Sequence, residues 1–167
     1  MASSGYGTDA GFLAYMAARN RDLDAVDPDD IAAARLVVSE WLDMRYRTSF
    51  GGTKSGGALQ EREWPRVGAI DCYGYALPST TVPTAIENAT YEAALRELQS
   101  PGVFSPTFTP NKYKRVSIDG ALSVDFVQFD SATDIVTQFP IIGQWLSTIL
   151  CGEAAGWSAL SGFSVRV

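Results

Sequence analysis

The sequence contains no histidine. That removes the side chain that most often acts as general base at neutral pH, the usual serine and cysteine triads, and the commonest metal ligand. Cysteine is scarce: Cys72 and Cys151 stand far apart, in no metal-ligand spacing. Both lie in apolar settings, so two buried free thiols in a reducing compartment are expected in preference to a disulfide. Basic residues are outnumbered, 13 against 19 acidic, for a net charge of −6. A general nucleic-acid binder needs a positive field to neutralise phosphates, so only a local basic patch could serve that role. A long apolar run is also missing. The longest uncharged stretch, Ile135 to Gly152, is broken by Gln138, Pro140, Gly143 and Gln144 and is too short for a membrane span. The first residues, Met-Ala-Ser-Ser-Gly-Tyr-Gly, contain no basic region followed by an apolar run, so no signal peptide is expected.

What is present is a globular composition, 46% hydrophobic over 167 residues, which suits one domain with a modest core. The pattern predicts a mainly α fold: about four helices, one β-hairpin at about 112–127, a body over 1–153 and an extended C-terminal arm over 154–167. Residues 1–8 are small and polar and are expected to be loose or held by a partner. Asp9 can cap a first helix over Ala10–Arg19. Asp27-Pro28-Asp29-Asp30 is a strong helix start: a capping carboxylate, proline at the first position, and acids at the positive end of the dipole. That helix should reach Arg45–Arg47, with Ile31, Ala34, Val38, Trp41 and Leu42 on one stripe. Arg45 extends the stripe and wants a carboxylate (Glu61, Glu63 or Asp71), or else snorkels. A third helix starts near Pro83, where Thr84 and Glu87 could form a capping box, and Glu92 and Arg96 are spaced to pair on its surface. A short helix from Phe139-Pro140 to Leu150, with Ile142, Trp145, Leu146 and Ile149 as its stripe, carries no charge. Burial on more than one side is expected of it.

The stretch from Met44 to Asp71 organises the chain. It runs from a helix end through a Gly-rich loop to Trp64-Pro65-Arg66 and holds Arg45, Arg47, Lys54, Arg62 and Arg66. Phosphate-loop chemistry does not fit it: Thr53 stands where a glycine is required before Lys54-Ser55, and the preceding element is a helix, not a strand. Trp64 reads as a core plug or an interface anchor. Glu61 and Glu63 are two apart on a loop with nothing to orient them, so they make no acid–base pair. Further on, Val116-Ser117-Ile118 and Ala121 to Phe126 flank Asp119-Gly120, the favoured two-residue hairpin turn. In that register neither face is cleanly polar. The tail has Trp157, Leu160, Phe163 and Val165 among small residues and ends Ser-Val-Arg-Val, the look of an arm that orders against a partner. No catalytic set, metal site or cofactor motif emerges, and an enzyme is not expected.

The run Arg45 to Asp71, with its Phe-Gly-Gly and Trp-Pro-Arg blocks, resembles tailed-phage head–tail adaptor proteins, also called head-completion or connector proteins. The likeness continues through Val82 to Ala94, the hairpin from Lys112 to Phe126 and the helix from Ile141 to Leu150. Sequences of this kind also carry the label DnaT-like single-stranded-DNA-binding protein. The resemblance implies a virion protein at the head–tail interface, assembled in the host cytoplasm. It implies a homo-oligomeric ring, expected to be dodecameric, beneath the portal protein, with a downstream stopper or tail connector on its other side. Genomic DNA would pass through the lumen without sequence reading. Under this reading Trp157, Leu160, Phe163, Val165, Arg166 and Val167 contact the portal. Arg45, Phe50, Lys54, Trp64, Arg66 and Trp145 are structural or subunit-interface residues. No membrane and no cofactor is involved. The alternative is single-stranded-DNA binding by interleaved basic and aromatic residues: Arg45, Tyr46 and Arg47, and Lys112, Tyr113, Lys114 and Arg115.

Overall fold

The computed structural model describes residues 4–21, 23, 26–105, 115–118, 122–125 and 139–151. It is mainly helical, with α1 (Asp9–Ala17), α2 (Pro28–Tyr46), α3 (Thr84–Gln99) and α4 (Pro140–Leu146). Two short antiparallel ladders accompany them: β1 (Thr53–Lys54) with β2 (Arg66–Val67), and β3 (Arg115–Ile118) with β4 (Leu122–Asp125). The described residues fall into two units. One draws on 1–104 and 140–167 and holds the four helices; the other draws on 105–139 and holds the β3–β4 ribbon.

In the helical unit, Phe12 and Met16 of α1, Ile31 and Ala34 of α2, and Tyr91, Ala94 and Leu95 of α3 form one buried cluster. Val38 and Leu42 continue the α2 stripe into the core, while Trp41 is half-buried, 4.7 Å from the Phe104 ring. The start of α2 is as the sequence predicts: Asp27 Oδ1 accepts from Asp29 N at 2.9 Å and Pro28 opens the helix. Two other caps differ. Thr8, not Asp9, caps α1, its Oγ1 accepting from Gly11 N at 2.9 Å. Asp9 is instead drawn to the Arg35 guanidinium, 2.7 Å away. At α3 the cap position is Pro83, which has no donor or acceptor side chain, so no capping box forms. The Glu92–Arg96 pair exists, at 3.3 Å, but Glu92 is buried, not on the surface. It accepts from Tyr15 Oη at 3.0 Å, and burial next to this carboxylate pushes the Tyr15 phenol up to about 12.

The regular helix α4 ends at Leu146, short of Leu150; turns follow, with Leu150 N still donating to Leu146 O. Ile142, Leu146, Ile149 and Leu150 are buried, whereas Pro140 and Gln144 face outward. Its burial is thus mainly on one side, against the expectation of two, and Trp145 packs edge-on to Tyr15 within the same unit.

The β3–β4 ribbon pairs Ile118 with Leu122 and Val116 with Val124. Three residues, not two, separate the paired ends. The one-residue slip from the predicted register exchanges faces. Positions 116, 118, 122 and 124, all apolar, share one face, and positions 115, 117, 123 and 125, all polar, share the other.

The two cysteines overturn the expectation of buried thiols. Cys72 and Cys151 form a disulfide with Cα atoms 5.1 Å apart, and both positions are exposed. The chain after α4 turns back along the 70–76 turn, where Cys72 N donates to Thr148 O at 2.9 Å, and this brings residues 79 apart in sequence together.

Candidate functional site

The Met44–Asp71 stretch is a lobe built on the end of α2. Phe50 and Trp64 are both buried, with ring centroids 5.5 Å apart. The Trp64–Pro65 peptide is cis. Trp64 is therefore a core plug, and its Nε1 has no hydrogen-bond partner among the described residues. Arg66, also buried, ties the lobe together. Its Nε donates to Gly51 O at 2.7 Å, its Nη2 to Gly52 O at 2.8 Å, and its Nη1 to Glu63 Oε2 at 2.6 Å. Lys54 Nζ reaches the other Glu63 oxygen at 3.2 Å. Glu63 is thus oriented by two cations, contrary to the sequence reading, while Glu61 is exposed. Gly52 is obligatory here: at φ +69° a Cβ would strike the backbone of Val67 and Ala69.

The segment Ser4–Thr8 closes over this arrangement. It is held by bonds within its own chain. Arg35 Nη1 donates to Tyr6 O at 3.0 Å and Gly7 O at 2.8 Å, and Ser39 Oγ accepts from Tyr6 N at 2.8 Å. The Tyr6 hydroxyl donates to Asp43 Oδ1 and accepts from Trp64 N at 3.2 Å. Gly5 admits no side chain, since a Cβ would lie 2.6 Å from the Arg35 carbonyl carbon. Sequence reading missed Tyr6, Arg35 and Asp43. Arg35 sits on the buried α2 face one residue after Ala34, and that misfit was the available signal.

Burial raises the Asp43 carboxyl above the ordinary range, with Tyr6 and Arg62 opposing the rise. Its Oδ2 is buried without a hydrogen bond among the described residues, and Arg62 Nη1 lies 3.5 Å away. A raised folded pKa means that protonation favours the fold. The stabilisation is complete below the unfolded pKa and is lost as pH rises through the folded one. The Asp43→Asn protein should therefore show a smaller rise in melting temperature on going from pH 7 to pH 4 than the parent. Parallel pH profiles for the two proteins would show that Asp43 does not titrate with folding.

A shallow cleft of about 510 Å³ opens beside the lobe, lined by Glu40, Asp43, Arg47, Lys54, Glu61 and Arg62 among others. Its charges are of both signs and largely paired, Arg62 with Glu40 at 3.4 Å and Lys54 with Glu63. Arg45 and Arg47 are exposed at the end of α2. No carboxylate pairs with Arg45 among the described residues; its guanidinium stands 5.9 Å from the Tyr46 ring. Burial raises the Tyr46 phenol. The structure thus brings Phe50, Lys54, Trp64 and Arg66 together and leaves Arg45 and Trp145 out. Lys112, Tyr113, Lys114 and the six tail residues from Trp157 to Val167 lie outside the described residues, and Arg115 is described in its backbone alone. Among the described residues no acidic or cysteine cluster could hold a metal ion, and no helix is long and apolar enough to cross a membrane.

Large apolar side chains on the same stretch and just beyond it face out: Leu59, Val67, Ile70, Tyr73 and Tyr75. The stretch thus turns Arg66 inward, pairs Lys54 and Arg62 with carboxylates, and leaves Arg45, Arg47 and these apolar groups at the surface of a small helical domain. The chain matches, over residues 2–166, the model of the family described as "Putative DnaT-like ssDNA binding protein", and it belongs to that family. No curated protein and no solved structure matches it.

Proposed function

We propose that this protein is a non-enzymatic assembly component of a tailed-phage virion, a head–tail adaptor that forms a ring between portal and stopper. The observation that carries this reading is the allocation of charge in the 44–71 lobe. Lys54, Arg62 and Arg66 are spent on Glu40, Asp43 and Glu63, while Leu59, Val67, Ile70 and two tyrosines are exposed. Such a surface is suited to contact with protein, and repeated copies in a closed ring would cover it through heterologous contacts. The net charge of −6 suits a DNA conduit, because like charge discourages sticking.

Single-stranded-DNA binding is the second reading, and the description of the family favours it. Arg45, Tyr46 and Arg47 would supply phosphate contacts, with the exposed Tyr73 and Tyr75 as stacking surfaces. Quantitative mass spectrometry of purified virions separates the two. A copy number near that of the portal is expected. Absence from virions, together with binding to single-stranded DNA that weakens steeply with salt, would transfer the protein to replication. Deletion of residues 154–167 should leave the helical unit folded and abolish portal docking. Normal particles made with the truncated protein would refute the role given to the arm.

A further inference from the structure

We propose that copies of this chain associate head to tail, with the Leu59 tip of one copy seated on the Ile70–Tyr75 turn of the next. The proposal rests on the adaptor reading and names the contact that builds its ring. Leu59 ends a single turn of 3-10 helix, Gly57–Leu59, and is 95% exposed. The loop that carries it is braced. Gly56 N donates to Gln60 Oε1 at 2.7 Å, and Gln60 Nε2 donates to Arg62 O at 2.9 Å and to Pro65 O at 3.0 Å. Lys54 Nζ donates to Gln60 O at 3.2 Å, and Ser55 Oγ to Ser79 O at 2.5 Å. Leu59 is thus a knob held out in water by a stiff loop. The turn is equally well held. Ile70 and Ala76 form a bridge, and Asp71 Oδ1 accepts from Tyr73 N at 2.9 Å and from Tyr75 N at 2.8 Å. It displays Ile70, Tyr73 and Tyr75 at 56%, 76% and 72% exposure. Both surfaces are formed before contact, so docking them costs little ordering entropy.

Area and charge argue for a second copy as the occupant. Together with Val67, these side chains leave on the order of 700 Å² in water, close to the ~800 Å² that each partner gives to a standard-size interface. None of the five is charged, so a polyanion finds no cation among them. Two copies of a chain with net charge −6 repel through much of their surface and meet most readily where charge is absent. Knob and turn are unlike features of one chain. Seating one on the other leaves a free knob at one end of the pair and a free turn at the other, so growth continues until the ring closes.

Sedimentation velocity on the full-length protein tests this contact. The parent should grow beyond a dimer as its concentration rises. Leu59→Asp and, separately, Tyr73→Asp/Tyr75→Asp should each weaken association by at least roughly thirtyfold. Their melting temperatures should match the parent's, because the replaced side chains are exposed. An equal mixture of the two variants should give a dimer and nothing larger, since such a pair retains one intact knob and one intact turn. A parent that stays monomeric or stops at a dimer overturns the proposal, and so does a mixture that stays monomeric. Self-association that Leu59→Asp leaves unchanged overturns it as well. The adaptor reading survives each of these results, because the copy number in virions decides it independently.

Discussion

Replacing Arg66 by alanine should lower the melting temperature by roughly 10 °C or more, with the 50–71 lobe lost first. The guanidinium is buried and serves four backbone carbonyls (Gly51, Gly52 and, at 3.4 Å, Phe50 and Glu63) as well as the Glu63 carboxylate. Truncation leaves a largely buried carboxylate facing only Lys54. Breaking such a pair from one side costs about 3–5 kcal/mol, most of it the desolvation of the stranded partner. In a chain of this size each kcal/mol moves the melting temperature by about 2–4 °C. Arg66→Lys should recover only part of the loss, because an ammonium cannot span the carbonyls of residues 51 and 52 and the carboxylate at once. Arg45→Ala is the matched control. Arg45 is exposed at the end of α2, and its removal should change stability by no more than about 0.5 kcal/mol. Thermal unfolding of the three variants decides the matter: equal shifts for Arg66→Ala and Arg45→Ala would mean that Arg66 does not organise the lobe.

That contrast shows what the sequence could reveal. Both arginines belong to one basic stretch, and nothing local separates the buried one from the exposed one. Helix α2 was legible from Asp27-Pro28 onward, because a cap, a proline and a stripe at helical spacing act within a few residues of each other. Trp64 was legible only as a core plug or an interface anchor, because a large ring in a loop-rich stretch suits either, and the fold buries it. The Glu92–Arg96 spacing predicted a pair, but not that Tyr15 and Arg19 of the α1 region would converge on Glu92 and bury it. The strap of Ser4–Thr8 was illegible for the same reason. Its small residues read as loose, and only the fold brings Arg35, Ser39 and Asp43 under Tyr6. The ribbon register turned on the choice between a two- and a three-residue connection, which Asp119-Gly120 alone does not fix. Across these cases local chemistry decided helix starts, and long-range packing decided which charges are inside.

The Cys72–Cys151 bond is the longest-range of these contacts, and its loss should have the second large effect. A crosslink between residues 79 apart removes much of the freedom of the unfolded chain. The chain-entropy relation puts that at about 4.5 kcal/mol for a loop of this length. Cys72→Ser should therefore melt roughly 10 °C below the oxidised parent. Both cysteine positions are exposed, so dithiothreitol should reach the bond and bring the parent down to the Cys72→Ser value while leaving the variant unmoved. A parent protein whose melting temperature ignores reductant, and whose two thiols both titrate after oxidation with glutathione disulfide, would show that the bond does not form. The consequence extends past stability, because the bond fixes the point from which the C-terminal segment leaves the helical unit. Without it, the turn after α4 is held to Cys72 by the Thr148 carbonyl and by the burial of Ile149 and Leu150. Protease sensitivity just beyond Cys151 should rise in step with the fall in melting temperature, because the covalent link then no longer holds the end of the helical unit to the 70–76 turn.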